Sequence, residues 1–343
     1  MPKFLDRLGS VVLVLGCLAL GGCGSSGIPG NVTTAISKKA TPGHIGALKS
    51  ASPDARRLAA HSLWQIGAEA TEATPALLEA LHDKDGEVRM EAARALGRTG
   101  EKEEKTIGAL VEALKDENAG VRAQAAASLF ELNDLAKKEA TKVVPALIEA
   151  LKDKDEDVQC GAAKLLTRYG KDSKAAVPSL IEVLKASKPL TRSYAAFALA
   201  AIGPESKPAL PNLLAIARND ENLGTRTNAL IAIGCIGPEA RSAVPFLIEN
   251  IKSGNVSLQC GAAVGLWHIG PAAKEAIPAL TEVIQNSTDD KVKQAAQGAI
   301  DSLNGKKRSP AERSPDMGIG QEMMGPSGRG KMPMMKGPPP RQP

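Results

Sequence analysis

The sequence repeats at a near-constant interval, and this repeat constrains the fold more than any other feature. Successive copies begin near a proline, or near Gly108 in the third copy, and lie 33 or 34 residues apart except for one interval of 37. The eight markers are Pro42, Pro75, Gly108, Pro145, Pro178, Pro211, Pro245 and Pro278. A period of this length indicates a solenoid, in which each copy is a small unit that packs on its neighbours.

Each copy has the pattern of two short helices joined by a turn. In the second copy, apolar side chains recur three and four residues apart over residues 75–81, polar residues interrupt at 83–87, and the pattern resumes over 88–96. This spacing places the apolar side chains on one face of each helix. Asp85 precedes the second helix and is expected to cap it, because its carboxylate can accept first-turn amides. Asn118 and Asp155 occupy the same place.

The sequence also predicts where the units end. Gly-Pro pairs follow three later second helices, at residues 203–204, 237–238 and 270–271. There we expect glycine to adopt the left-handed closing conformation and proline to prevent the helix from continuing. The long interval places extra residues in 134–144, and these predict either a bend in the array or a longer surface loop.

The second halves of the copies share one string. It reads ARRLAAHSL at 55–63, VRMEAARAL at 88–96, VRAQAAASL at 121–129 and TRSYAAFAL at 191–199. These strings resemble the HEAT repeat family, most closely the short HEAT-like units of phycobilin lyase proteins. The resemblance covers residues 42–304 and implies an all-α fold, a right-handed αα superhelix of about eight helical hairpins. It also implies that the arginine of the string braces a turn of a neighbouring repeat, a role placed in doubt where Gln159, Gln259 and Lys293 replace it.

Small side chains explain how such helices would stack. The chain has 54 alanines but only eight aromatic residues, too few to fill a conventional mixed core. Paired alanines allow helix axes to approach within about 8–10 Å. We therefore expect close contacts between neighbouring repeats at Ala92-Ala93, Ala125-Ala126, Ala162-Ala163, Ala195-Ala196 and Ala262-Ala263.

One face of the second helices is a candidate binding surface. Counting from the first apolar residue of each string as position 0, positions 0, 4, 8 and 11 face the core, whereas positions 2, 6 and 9 point away. By analogy with HEAT-like solenoids this face is concave and holds a protein or peptide, with Trp64, Phe130, Phe197 and Trp267 as anchors. The alternative is that these side chains pack in the core. The full set is Arg57, His61, Trp64, Met90, Arg94, Phe130, Lys164, Phe197, Ile231, Val264 and Trp267.

No constellation in the sequence indicates catalysis, a metal or a cofactor. The four histidines, at 44, 61, 82 and 268, lie in different repeats without partners at ligand spacing. Cys160, Cys235 and Cys260 are expected to be unpaired, because the stacking order separates them beyond disulfide reach. Nucleic acid is not an expected partner, because the segment between residues 8 and 304 carries 33 basic and 34 acidic residues and lacks a basic stripe.

The amino terminus is typical of an exported lipoprotein. Lys3 and Arg7 precede an apolar run, residues 8–20, that suits a signal peptide and is short for a membrane span. The closing residues, Leu20-Gly21-Gly22-Cys23, resemble a bacterial lipobox. The resemblance implies a signal peptide over 1–22, lipidation at Cys23 and, with Gly24 next to it, an outer-membrane or periplasmic location in a Gram-negative cell. An ordinary secretory signal, a retained membrane anchor, or processing at Cys17 are the alternatives.

Two flanking segments complete the expected organisation. Residues 23–41 are predicted to be a flexible tether. Residues 305–343 carry eight basic and three acidic residues among many Pro, Gly and Met, which predicts a disordered tail. The tail is either merely solvated or docks an anionic lipid, polymer or partner, and its six methionines leave Cu(I) binding as a hypothesis.

The preferred interpretation is a lipid-anchored, noncatalytic scaffold that binds a protein through the concave face. A lyase-like or cofactor-maturation factor and a structural envelope spacer are the alternatives.

Overall fold

The computed structural model describes residues 30–99 and 104–306, with side chains described from Lys39 onward except at 133–135. Within these ranges the chain is helical and has no strand, which confirms the predicted all-α superhelix. The first helices of repeats 1–8 are α1 (Gly30–Ala47), α3 (Thr74–Ala80), α5 (Glu104–Ala113), α8 (Ala140–Ala150), α10 (Val177–Val183), α12 (Leu210–Asn219), α14 (Val244–Ile251) and α16 (Ile277–Asn286). The second helices are α2 (Pro53–Ile66), α4 (Gly86–Thr99), α6 (Ala119–Glu131), α9 (Glu156–Leu166), α11 (Pro189–Ile202), α13 (Leu223–Cys235), α15 (Val256–Ile269) and α17 (Asp290–Leu303).

Side-chain caps begin the second helices where the sequence predicts them. Asp85 Oδ1 accepts the amides of Glu87 and Val88 at 2.9 and 3.1 Å. Asn118 and Asp155 cap α6 and α9 in the same way. These bonds satisfy amides that have no partner inside the helix, so these three second helices start at a defined residue.

The helix ends differ in part from the prediction. Gly203, Gly237 and Gly270 do adopt positive φ, at 80°, 80° and 68°. The ψ angles of Gly203 and Gly270, −134° and −146°, nevertheless lie outside the predicted left-handed helical region. The second helices end at Ile202, Cys235 and Ile269, as the Gly-Pro pairs predict. What the sequence did not predict is that each pair also opens a 3₁₀ segment that leads into the next first helix. The 3₁₀ segments span Gly67–Ala73, Gly170–Ala176, Gly203–Ala209, Gly237–Ala243 and Gly270–Ala276. Proline fits there because the first residues of a helix need no amide donor.

Two boundaries also differ from the sequence interpretation. The segment predicted to be a flexible tether, 23–41, is helical from Gly30, because α1 runs through Pro42 rather than starting near it. The extra residues before Pro145 are not simply a loop, since they include the short helix α7 (Asn133–Lys138). The hydroxyl of Tyr169, in repeat 4, donates to the carbonyl of Ala136 in α7 at 2.9 Å and fixes this helix on the array.

The second helices form the closely packed layer of the array. Consecutive second helices contact each other directly from α2 to α17, whereas the first helices reach the next repeat mainly through the 3₁₀ segments. The five predicted alanine pairs are buried in this layer. Helices α13 and α15 approach closely, since a Cβ on Gly234 would lie 2.3 Å from the Cα of Gly265. Because the second helices are the more closely spaced layer, the array curves toward them.

A buried arginine in four second helices braces the turn of the following repeat. Arg122 Nε lies 2.6 Å from Asp153 Oδ2, its Nη2 lies 2.8 Å from Oδ1, and its Nη1 donates to the carbonyl of Asp116 at 2.8 Å. The same pairing joins Arg56 to Asp83, Arg89 to Asp116 and Arg192 to Asp220. The bracing role implied by the family resemblance is confirmed at these positions.

The brace changes where glutamine replaces arginine. Gln159 Nε2 donates to the carbonyl of Asp153 in its own repeat at 2.6 Å, and the next turn has Ala186 in place of aspartate. At this junction the carboxylate of Glu156 instead accepts the amides of Ser187 and Lys188, both at 2.8 Å, at the exposed edge of the array. Gln259 likewise donates within its own repeat.

The expectations for the two ends of the chain lie outside the described residues. They are the signal peptide at 1–22, lipidation at Cys23 and the nature of the tail beyond Lys306. In the portion that the structure describes, no helix combines the length and apolar character that crossing a membrane requires.

Candidate protein-binding face

The candidate surface is the solvent-facing side of the second-helix layer, which we call the open face. Its centre is position 6 of each second helix, counted as above from the first residue of the shared string, such as Val88 in α4. Position 6 is half-buried in the first seven repeats. Trp64, Phe130 and Trp267, at position 9, are also half-buried and rest on the core. The predicted anchors therefore combine core contact with exposure, and their role in binding stays a prediction.

The flanking positions do not follow the helical wheel evenly. Position 2 turns toward the following repeat, where Met90 Sδ packs against Gly120, and Cys260 at the same position is buried. Arg57, also at position 2, is exposed and pairs with Asp54 at 3.5 Å. Positions 3 and 10, which the sequence interpretation omitted, lie beside position 6 on the other flank. On the helical wheel, positions 3 and 10 are as close to position 6 as positions 9 and 2 are, so the sequence pattern alone could have included positions 3 and 10 in the face.

Trp64 lies at the centre of a cluster formed by repeats 1 and 2. The guanidinium carbon of Arg94 lies 3.7 Å from the Trp64 ring centroid, and that of Arg98 lies 5.1 Å away. Glu91 Oε2 is 3.2 Å from His61 Nδ1, and its Oε1 is 3.6 Å from Arg94. Cation–π contacts of this kind contribute about 0.5–1 kcal/mol at exposed sites. We call these side chains the Trp64 cluster.

Phe130 forms a second cluster with the same arrangement, two repeats farther along. Lys164 Nζ lies 4.3 Å from the Phe130 ring centroid and the guanidinium carbon of Arg168 lies 4.5 Å away. Lys164 also approaches the ring of Tyr194, at 5.9 Å. Arg168 Nε is buried and has no hydrogen-bond partner among the described residues. In both clusters an aromatic side chain at position 9 is covered by cations at positions 6 and 10 of the next second helix.

Repeats 5–7 give the open face a different character. Position 6 holds Phe197, Ile231 and Val264, all half-buried and apolar. Trp267 packs edge-on against His268, with ring centroids 4.3 Å apart. The corresponding positions of the next helix hold Gly298 and Ser302, so Trp267 has no covering cation of the kind seen at Trp64 and Phe130.

Exposed apolar side chains extend this apolar half at the first turns of the same helices. They are Leu190, Leu223 and Val256, which are 58%, 37% and 40% exposed. The equivalent turns of α4 and α9 carry Glu87 and Asp157 instead. The cations that cover aromatic rings therefore lie along repeats 1–4 of the open face, and position 6 is apolar along repeats 5–7. Leu58, at position 3 of repeat 1, is an apolar exception in the basic half and is 65% exposed.

The described residues offer little for metal or thiol chemistry. Across residues 39–99 and 104–306, no group of three or more His, Cys, Asp and Glu side chains is arranged to hold a metal ion. Cys160, Cys235 and Cys260 are unpaired, as expected. Burial raises the pKa of Cys235 to about 12 and that of Cys260 to about 11, so both thiols are protonated at neutral pH.

Comparison with known proteins identifies the repeats. A family model described as HEAT repeats matches residues 42–131, 144–234 and 210–301, and one described as a PBS lyase HEAT-like repeat matches 121–153. None of the curated protein sequences matches significantly.

Two solved structures share the fold. An engineered protein is 21% identical, with 87% of this chain and 90% of that chain covered and a TM-score of 0.59. YibA of Escherichia coli is also 21% identical, with 82% of this chain and 99% of that chain covered and a TM-score of 0.57. At this level of identity the similarity establishes the fold alone.

Proposed function

The chain belongs to the HEAT repeat family, and from this premise we propose that it is a noncatalytic scaffold that binds a protein or peptide on its open face. The observation that carries the proposal is the concentration of aromatic side chains there. Trp64, Phe130, Tyr194, Phe197 and Trp267 are all half-buried on this one surface. Large aromatic side chains held on a rigid framework are the typical anchors of protein interfaces.

The distribution of charge supports the same function. The arginines of the inter-repeat braces are buried and paired, so they serve the stacking of repeats. The cations of the open face instead cover aromatic rings and remain partly exposed. A partner can therefore contact both the cations and the apolar side chains without disrupting the array.

We also propose that the scaffold is exported and anchored through lipid on Cys23. The support is the amino-terminal sequence, with its basic start, apolar run and lipobox-like ending. Metabolic labelling with a fatty-acid analogue is the test. Label should enter the native protein and be absent from a Cys23→Ala variant, which should also leave the membrane fraction. Equal labelling of both proteins would reject the anchor.

Site-specific crosslinking tests the binding function. A photoreactive side chain at Phe197 or Ile231 should form adducts with one protein in cells, whereas the same group at Lys174, in a 3₁₀ segment, should not. The adduct should disappear when Val264→Ser and Trp267→Ser are added, provided that the helicity and melting temperature are retained. Equal adducts at Lys174 would contradict the proposal.

Two further measurements separate the two alternative functions. A bilin or haem absorbance that copurifies with the protein would favour cofactor maturation. Retention in the envelope that is lost on deletion of residues 305–343, but is unchanged in open-face variants, would favour a structural spacer.

A further inference from the structure

We propose that the segment bound by the open face is acidic along one half and apolar along the other. Its carboxylates contact the Trp64 and Phe130 clusters in repeats 1–4, and its apolar side chains contact repeats 5–7. The inference rests on the proposed binding function and adds the chemistry of the partner.

The first support is unused hydrogen-bonding capacity in the two clusters. Among the described residues, Arg98, Lys164 and Arg168 make no ion pair, and Arg94 has only Glu91, at 3.6 Å, which also contacts His61. Contact with an aromatic ring leaves the N–H groups at the edge of a guanidinium available as donors. Carboxylates are the acceptors that such planar donors bind best in proteins. The Nε of Arg168 is buried as well as unpartnered, so a carboxylate from outside would contact the other N–H groups of this guanidinium.

The second support is the repeated geometry of the clusters. In both, cations at positions 6 and 10 of the next second helix contact an aromatic side chain at position 9. They are two repeats apart, or about 20 Å at a helix spacing of roughly 10 Å. An extended peptide spans this distance in about six residues at 3.3 Å each. Two carboxylate groups about six residues apart can therefore occupy both clusters at once.

The third support is the change in character after repeat 4, which favours a peptide over a nucleic acid. A polynucleotide carries phosphate along its whole length, but positions 6 of repeats 5–7 hold Phe197, Ile231 and Val264. Glu91 and Glu131 also interrupt the basic half, where they would repel a continuous polyanion. A protein segment can place carboxylates and apolar side chains in separate halves, as this face requires.

Binding of a synthetic peptide tests the inference. A labelled peptide of about 20 residues is long enough to cover repeats 1–7 when extended. One half contains glutamates in a Ser/Gly background and the other contains Leu, Phe and Val. Each half alone, a version with lysine in place of glutamate, and a single-stranded oligonucleotide of similar length complete the set. Fluorescence anisotropy at low and physiological salt gives the affinities.

The full peptide should bind more tightly than either half, and salt should weaken the full peptide but not the apolar half. The variant Arg98→Glu/Arg168→Glu should weaken the full peptide by about tenfold or more and bind the lysine version better than the native protein does. The control Arg241→Glu/Lys274→Glu has the same charge change in the exposed 3₁₀ segments and should alter neither affinity. Arg98→Gln/Arg168→Gln provides a milder test if the glutamates impair folding.

The outcomes separate this inference from the binding function. If crosslinking detects a partner on the open face but the glutamate half adds nothing to peptide affinity, the inference is wrong and the scaffold function stands. Tighter binding of the oligonucleotide, lost in the same charge variants, would also overturn it. If no peptide binds and no partner crosslinks, both proposals fail.

Discussion

The inter-repeat brace can be tested with a substitution for which another repeat of the same chain supplies the model. Arg122→Gln should reproduce in repeat 3 the arrangement seen at Gln159, where an amide donates to a carbonyl in its own repeat. The aspartate of the next turn, Asp153, would then lose both side-chain bonds to the guanidinium, at 2.6 and 2.8 Å. Its one remaining partner among the contacts described here is the amide of Asp155.

The magnitude follows from the burial of the pair. The side chains of Arg122 and Asp153 are only 10% and 13% exposed, so their interaction resembles a buried ion pair more than a surface one. Removing one partner of a buried pair destabilises by about 3–5 kcal/mol, whereas an exposed pair contributes about 0–1 kcal/mol. Because glutamine retains one bond, we expect a loss of about 2–3 kcal/mol.

The double variant Arg122→Gln/Asp153→Ala isolates the cause. This variant recreates the combination of Gln159 and Ala186 found at the next junction, and it removes the carboxylate that Arg122→Gln leaves unpaired. It should therefore regain about half of the lost free energy of unfolding. Urea unfolding, monitored by circular dichroism, gives the free energy of unfolding of the single and the double variant. Both the midpoint and the slope are compared, because a weakened junction between repeats can split the unfolding transition. A single variant as stable as the native protein, or a double variant no better than the single, would refute the reasoning.

Three further predictions concern packing, pH and thiol reactivity. Gly234→Ala should destabilise the protein by about 1–3 kcal/mol in thermal melts, because the new Cβ would lie 2.3 Å from the Cα of Gly265. The control Gly108→Ala should be neutral or stabilising, because a Cβ there would have no atom within 4 Å. The hydrogen bond from Arg56 lowers the pKa of Asp83 below its ordinary 3.8. The ionised Asp83 therefore contributes its full stabilisation above pH 3.8, and this contribution is lost as the pH falls through the lowered pKa. Acid-unfolding midpoints of the native protein and of Asp83→Asn will measure the contribution. Cys235, whose pKa burial raises to about 12, should react with a thiol reagent at pH 8 only after urea unfolding; rapid reaction in the native protein would contradict this.

Much of the fold could be predicted because its determinants are local and repeated. The caps at Asp85, Asn118 and Asp155 and the closing glycines act within a few residues, so their sequence position identifies their role. The 3₁₀ segments were missed because a Gly-Pro pair indicates that a helix ends but not which conformation follows. Helix α7 was missed because its six residues are too few to show a period.

The open face was only partly predictable, because its limits depend on contacts between repeats. The wheel places Arg94, Lys164 and Phe197 at its centre, and the structure shows them half-buried there. The wheel cannot tell which flank turns toward a neighbouring helix. Met90 and Cys260 turn toward the following repeat, whereas Arg98 and Arg168 remain beside the aromatic rings. That asymmetry comes from how consecutive helices are rotated against each other, which no single repeat encodes.

The uneven bracing has a consequence for how the array comes apart. Ionic links through aspartate join repeats 1–4 in sequence and also join repeats 5 and 6, whereas repeats 6 and 7 are joined by the close backbone approach of Gly234 and Gly265. Protonation of the aspartates breaks the ionic links and hardly affects the glycine contact. Disassembly in acid should therefore proceed directionally, with repeats 1–4 loosening first while repeats 6 and 7 stay stacked.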